Sequence, residues 1–198
     1  MIADLLPNEE QAQIADSVAG LLARSAPIDR FRKETERGGA LEARLWPSFA
    51  EAGFFGLGLD AEAGGVGYGL PEEVIVARLL GRNIVSLSVI ATMAAVHILA
   101  ETGNAEAVAA LIAGERRAAF ANPASAGEVQ LFDAGGADLL LSWRGEGLAL
   151  FDAAAAQDLR EVATLDEALH AQRARVAGAP VAASSAAVAD RVSLLLSA

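Results

Sequence analysis

The chain has no cysteine among its 198 residues, which excludes a disulfide framework and thiolate chemistry. Its two histidines, His97 and His170, stand far apart with no cysteine to join them, and so give no metal-ligand signature. No apolar run reaches the ~18 residues that a membrane-spanning helix needs. The best candidate, Ile84 to Ala100, is interrupted by Ser86, Ser88, Thr92 and His97. It reads as a buried helix in which His97 is a satisfied core residue, and no membrane partner is expected. Met1 to Leu6 carries Asp4 and no basic cluster, so no secretory signal is expected and a cytoplasmic location is the plain reading. Basic residues are also scarce: 15 against 26 acids, a formal charge of −11. That balance repels phosphate backbones and argues against a nucleic-acid partner.

What is present is enough for one large domain or two small ones, able to bury roughly 70% of the unfolded surface. Hydrophobic residues make up 54% of the chain, but alanine supplies much of that. Residues 8 to 25 have helical spacing at Ile14, Val18, Leu21 and Leu22, with Asn8 placed to cap and Gln11 three residues on. Arg30 to Gly39 is polar and charged, an expected exposed loop. A short helix is expected from about Trp46-Pro47 to Gly53, where proline is tolerated in the first turn and Trp46 and Phe49 pack inward. Helices are further expected over Pro71 to about Leu80, over Ser88 to Thr102, and from Asn104 to Gly114 with Val108, Leu111 and Ile112 inward. Glu72 and Glu73 suit the positive end of the first of these.

After Gly114 the pattern changes to short runs divided by glycine-bearing turns. Arg116–Ala121, Val129–Phe132, Asp138–Trp143 and Gly147–Asp152 read as strands. Residues 173–177 are expected to be a strand, 153–163 are left unassigned between helix and strand, and Ser184 to Ser197 reads as a helix that must pack on something. The expected class is α+β: an all-α amino-terminal domain over 1–114, a small antiparallel β-domain over 115–182, and the start of a further helical segment over 183–198.

The stretch from Gly53 to Arg82 carries glycine at 64, 65, 67 and 69 between two helices. It is disfavoured as a phosphate cradle, because no strand precedes it, Pro71 removes an amide, and Glu72 and Glu73 put negative charge where a phosphate would sit. A tight turn with positive φ is the better reading. Asp60, Glu62, Gly64, Gly65, Gly67 and the closing Leu80-Gly81-Arg82 resemble the helix–loop–helix of acyl-CoA dehydrogenases. These FAD-dependent enzymes desaturate acyl thioesters, and in them the loop edges the acyl pocket.

The resemblance implies a cofactor segment at Ala119-Phe120-Ala121-Asn122-Pro123-Ala124-Ser125-Ala126-Gly127, with Phe120, Ala121 and Asn122 at the FAD. In the family, amides and a hydroxyl here stabilise charge on the reduced ring. This sequence departs from that pattern: Ala121 replaces the hydroxyl, Asn122 replaces the acid, and Glu128-Val129 follows where Ser-Asp is usual. The tryptophan strand expected next is reduced to the segment around Asp133 to Leu140, as though one hairpin were lost, and Trp143 reads as a hairpin or core aromatic. Arg116-Arg117 is either a phosphate contact or a solvated turn.

The family's catalytic glutamate belongs to a carboxy-terminal helical domain beyond Ala198, so no catalytic residue is assigned. The implied function is a part or partner subunit of an FAD-dependent acyl-CoA dehydrogenase. Such a chain would meet an acyl-CoA thioester and a larger homologous subunit, with FAD shared with or supplied by that partner. The alternatives are a non-catalytic subunit that braces a full-length homologue, or a fragment of a longer chain.

Overall fold

Asn8 closes the first helix as its spacing predicts. Its side chain accepts from the Gln11 amide at 2.8 Å while the Gln11 side chain accepts from the Asn8 amide at 3.0 Å, so two orphan donors are satisfied reciprocally. The computed structural model describes residues 6–29, 39–165 and 169–198, with the side chains of 39–43 also left aside. The expected loop at 30–39 therefore lies outside the described residues except for Gly39, which is helical.

The helices are α1 (Glu9–Ser25), α2 (Gly39–Glu51), α3 (Leu70–Arg82), α4 (Leu87–Glu101), α5 (Ala105–Ile112) and, after the sheet, α6 (Ala186–Ser197). One expectation is corrected here. α2 begins at Gly39, well before Trp46, and holds Pro47 in its interior. Proline there forfeits one backbone hydrogen bond. Trp46 and Phe49 are both buried, Trp46 tilted against Phe55 and Phe49 stacked on Phe54, and supply packing that outweighs the loss.

α4 is buried from Ser88 to Leu99 on every side, as an apolar helix without a polar face must be. Thr92 ties it to the sheet: its hydroxyl donates to the Ser88 carbonyl at 2.8 Å and accepts from the Ala118 amide at 3.0 Å.

The strands are β1 (Ala118–Pro123), β2 (Val129–Phe132), β3 (Leu139–Arg144), β4 (Gly147–Asp152), β5 (Ala156–Val162), β6 (Ala171–Val176) and β7 (Ala182–Ala183), in the order β5-β6-β2-β1-β3-β4-β7. The α+β class holds, with one difference from the expected antiparallel arrangement: β1 and β3 run parallel, Phe120 beside Leu141. The sheet is therefore mixed. The unassigned 153–163 contains β5, an edge strand exposed along most of its length. Its helical residues were overridden by pairing with β6, with an irregularity between Gln157 and Arg160.

Strand alternation divides the sheet into two faces. Phe120, Leu139, Leu141, Leu148 and Leu150 join α4 and α6 in one core, while Ala119, Ala121, Leu131, Leu140 and Phe151 form a second core on the far side. A third cluster, built on α1, α2 with its Trp46, α3 and Val89 and Met93 of α4, lies among the helices.

Asp133 is the joint between helices and sheet. It holds φ of 48°, a strained value for a non-glycine residue, and four bonds fix it there. Its carboxylate accepts from Ser86 Oγ at 2.9 Å and from the His170 amide at 3.1 Å, its amide donates to the His170 carbonyl at 2.8 Å, and its carbonyl accepts from Ser88 Oγ at 3.0 Å.

Candidate functional site

The tip of β1 is the segment singled out from sequence. The structure separates its three residues by burial. Phe120 and Ala121 are buried on opposite faces, each within a core, and Asn122 is exposed. Phe120 is flanked by Phe132 on β2 and Leu141 on β3, whereas Asn122 has its register partner on β2 alone, opposite Gln130. The side chain free to meet a ligand is thus that of Asn122. Beyond it the chain turns through Ala126 and Gly127, with φ of 59° and 73°, before entering β2.

Sequence reasoning missed Gln130. The alternation of Val129-Gln130-Leu131-Phe132 marks it as facing away from the buried Val129 and Leu131, but nothing local reveals which residue of β1 it meets. Neither Asn122 nor Gln130 makes a side-chain hydrogen bond among the described residues. Paired carboxamides with both donor and acceptor capacity unused fit the polar edge of a flavin ring. In that respect the residues present suit FAD, although the hydroxyl donor at position 121 is missing.

The glycine loop has the geometry its composition predicts. Gly64 and Gly67 both take φ of 88°. At Gly65 the constraint is contact: a Cβ would lie 2.0 Å from the Leu59 carbonyl oxygen. Val66 and Tyr68 of this loop line a groove of about 340 Å³ together with Ile14, Val18, Phe54 and Leu57, within the ligand-sized range. All of its lining comes from helices and loop, none from the sheet.

At the loop's other flank lies a charge cluster that sequence reasoning did not find. Glu73, read as a helix-dipole acid, is 1% exposed. His97 Nε2 donates to its Oε1 at 2.8 Å and Arg191 Nε to its Oε2 at 2.5 Å, while Arg191 Nη2 reaches the Gly58 carbonyl at 3.4 Å. Burial alone would raise the Glu73 carboxyl, but the hydrogen bonds and charges of His97 and Arg191 outweigh it and hold the group below the ordinary carboxylate value. Gly58 leaves the room required, since a Cβ there would fall 2.4 Å from the Glu73 carboxyl carbon. His97 is thus a partnered core residue. Glu72, by contrast, accepts from the Gly69 amide at 2.9 Å and from Gln11 Nε2 at 2.8 Å, capping α3 and joining it to α1. The bond from Gln11 is the main reason its carboxyl is lowered.

Arg117 of the Arg116-Arg117 pair lies over the Trp46 ring at 4.8 Å, and its amide donates to Asp138 at 2.9 Å. Trp143 is half-buried against the helix-side core. No group of acids and histidines among the described residues is arranged to hold a metal, and no described helix is long and apolar enough to cross a membrane.

Residues 8–114 match the family model of the acyl-CoA dehydrogenase amino-terminal domain. The chain belongs to the acyl-CoA dehydrogenase family. No curated protein matches its sequence. Among solved structures it is similar to the ChsE4–ChsE5 complex from Mycobacterium tuberculosis, with a TM-score of 0.65 at 19% identity over 97% of this chain and 61% of that one. It is also similar to glutaryl-coenzyme A dehydrogenase in complex with glutaryl-CoA, with a TM-score of 0.67 at 14% identity over 96% and 60%. A third is the steroid acyl-CoA dehydrogenase Tcur3481-Tcur3483, with a TM-score of 0.62 at 13% identity over 97% and 61%. At these identities the likeness is one of fold. The chain spans about three fifths of the length of these relatives.

Proposed function

We propose that this chain is a part or partner subunit of an FAD-dependent acyl-CoA dehydrogenase, acting in the cytoplasm on an acyl-CoA thioester. In this reading 1–114 is the helical domain, 115–182 a reduced β-domain, and 183–198 the start of a further helical segment. The catalytic base and most of the flavin contacts come from a larger homologous chain. Bound FAD would accept the β-hydride of the thioester while a carboxylate removes the α-proton.

The observation that carries this division of labour is the state of Glu73. It is the most deeply buried carboxylate among the described residues, yet both of its oxygens are committed to His97 and Arg191. An acid held this way below its ordinary value is a poor proton acceptor. The cofactor side agrees: of Phe120, Ala121 and Asn122, we assign a side-chain role to Asn122 and only backbone roles to the other two. That two of the similar structures carry paired protein names is consistent with a second chain.

The test is colour. The purified chain should carry no stoichiometric flavin, and co-expression with a larger homologous chain should give a yellow complex with acyl-CoA dehydrogenase activity. An isolated chain that retains flavin and desaturates an acyl-CoA overturns the proposal.

One observation favours the bracing alternative. The groove beside the glycine loop takes no residue from the sheet, so a tail lying there would be apart from the β1 tip. Calorimetry with an acyl-CoA separates the two readings, because a brace should give no binding heat.

A further inference from the structure

The groove beside the glycine loop is lopsided in polarity. Its floor is apolar and buried, made by Val18 of α1, Phe54 and Leu57 of the turn after α2, and Val76 of α3. Its polar lining is Tyr68 of the loop and one strip of α1, namely Glu10, Gln13 and Ser17. Those three recur at helical spacing, so they follow one another along a single face of α1. The cavity measures about 340 Å³.

Glu10 is the one formal charge in that lining. Burial raises the Tyr68 phenol above its ordinary value, and the Glu10 charge, a hydrogen bond to Glu10 and the Glu72 charge add to the effect. Tyr68 therefore stays protonated beside the carboxylate. Glu72 itself is spent on Gln11 and the Gly69 amide. Among the described residues of α1, the end of α2, the loop and the first turns of α3, the other exposed acids are Glu9, Asp16, Glu51, Asp60 and Glu62. The one base of these segments is Arg24, at the far end of α1. None of these lines the groove. The positive N-terminal end of α1 would oppose a cation here, but Glu9 and Glu10 in its first turn offset it. The polar end of the groove is thus net anionic.

A single charge at one end of an apolar trough selects a ligand of matching build. An ammonium group offers three donors, and the Glu10 carboxylate, the Tyr68 oxygen and the Gln13 side-chain carbonyl are acceptors. The buried floor takes hydrocarbon. At the ~30 Å³ that a water-sized group occupies in a liquid, 340 Å³ holds about ten heavy atoms. We propose that this groove is a binding site for a small apolar amine, a primary ammonium on a hydrocarbon body of about eight to ten carbons. The same charge disfavours carboxylates and the phosphates of a CoA ester. The inference stands apart from the FAD and partner-subunit readings above and needs neither.

The test is calorimetry on the full chain with octylamine, octanol and octanoate, one tail with three head groups, each below micelle-forming concentrations. Octylamine should bind about fivefold more tightly than octanol, and octanoate more weakly than either. Glu10→Gln should weaken octylamine about fivefold and leave octanol unchanged, the worth of one exposed ion pair. Val66→Trp, at an exposed lining position, should fill the groove and abolish binding. Ser17→Trp, exposed on the α1 side, repeats that block independently. The inference is overturned if octylamine gives no heat, if octanoate binds as tightly as octylamine, or if Glu10→Gln weakens amine and alcohol alike. Heat that survives both tryptophan variants marks adsorption elsewhere on the surface and also overturns it. So does binding of an apolar peptide bearing one lysine where octylamine gives none, since the groove then docks a chain segment. Flavin content of the co-expressed complex is judged separately and is untouched by these outcomes.

Discussion

Two glutamates of this chain are each held by two basic side chains, and they do opposite things. Glu73 lies among α3, α4 and α6 at 1% exposure, with His97 and Arg191 bonded to its two oxygens. Glu128 lies at the open end of the sheet, held by Arg160 and more loosely by Arg173. Both carboxyls fall below the ordinary value, Glu128 to about 2 through the Arg160 hydrogen bonds and Glu73 against the opposing effect of burial. The difference is water. Glu73 is sealed at 1% exposure with His97 at 9% beside it, so water replaces a lost partner poorly and the cluster fixes how the last helix sits on the first ones. Glu128 is 13% exposed and its partners Arg160 and Arg173 are 51% and 30% exposed, so water competes for those arginines and the same chemistry contributes less to the fold.

The sharpest way to break this comparison is Glu73→Ala. It strands His97 and Arg191 in a low-dielectric site and should cost about 3 kcal/mol in urea unfolding. A loss within experimental error would make the two clusters equivalent. The pH dependence sharpens the same point. The folded-state value of Glu73 is lowered, so its contribution is complete above the ordinary 4.5 and declines as pH falls through the lowered value. Glu73→Gln should therefore flatten the stability profile below about pH 4.5, measured by thermal melts across that range.

Next in size is Gly65→Ala. The added methyl would meet the Leu59 carbonyl oxygen, a backbone atom that cannot swing aside, for an expected loss of about 2 kcal/mol by the same unfolding measurement. On the sheet, Ser142 carries a buried hydroxyl with no partner among the described residues. Ser142→Ala removes an unsatisfied group and should leave stability unchanged or raise it by up to about 1 kcal/mol. The smallest effect is expected of Glu128→Gln, whose unfolding midpoint at neutral pH should match that of the parent chain. A clear drop would show that the open cluster helps to hold the sheet.

How much of this was legible depended on sequence distance. The Asn8–Gln11 cap, the all-round burial of α4 and the strands Val129–Phe132 and Gly147–Asp152 are local patterns, and they were readable. Pro47 misled, because its cost to a helix is local while the Trp46 and Phe49 packing that offsets it is not. β5 could not be assigned from residues with helical propensity, since only the neighbouring β6 makes them a strand. Glu73 looked like an ordinary first-turn acid because its partners lie 24 and 118 residues away. Gln130 was readable as an outward residue of its strand but not as the neighbour of Asn122.

The sequence by itself determined the helix caps, the glycine loop with its family resemblance, the change from helical to strand periodicity after Gly114, and the absence of cysteine chemistry. Each of these is set by residues within a turn or two of one another. Tertiary structure alone decided which glutamate is sealed between a histidine and an arginine, which face of β1 each candidate residue takes, and which polar side chains stand in one row across the sheet. Those outcomes depend on strand register and helix packing, where residues far apart in the chain share a dielectric environment that no local pattern encodes.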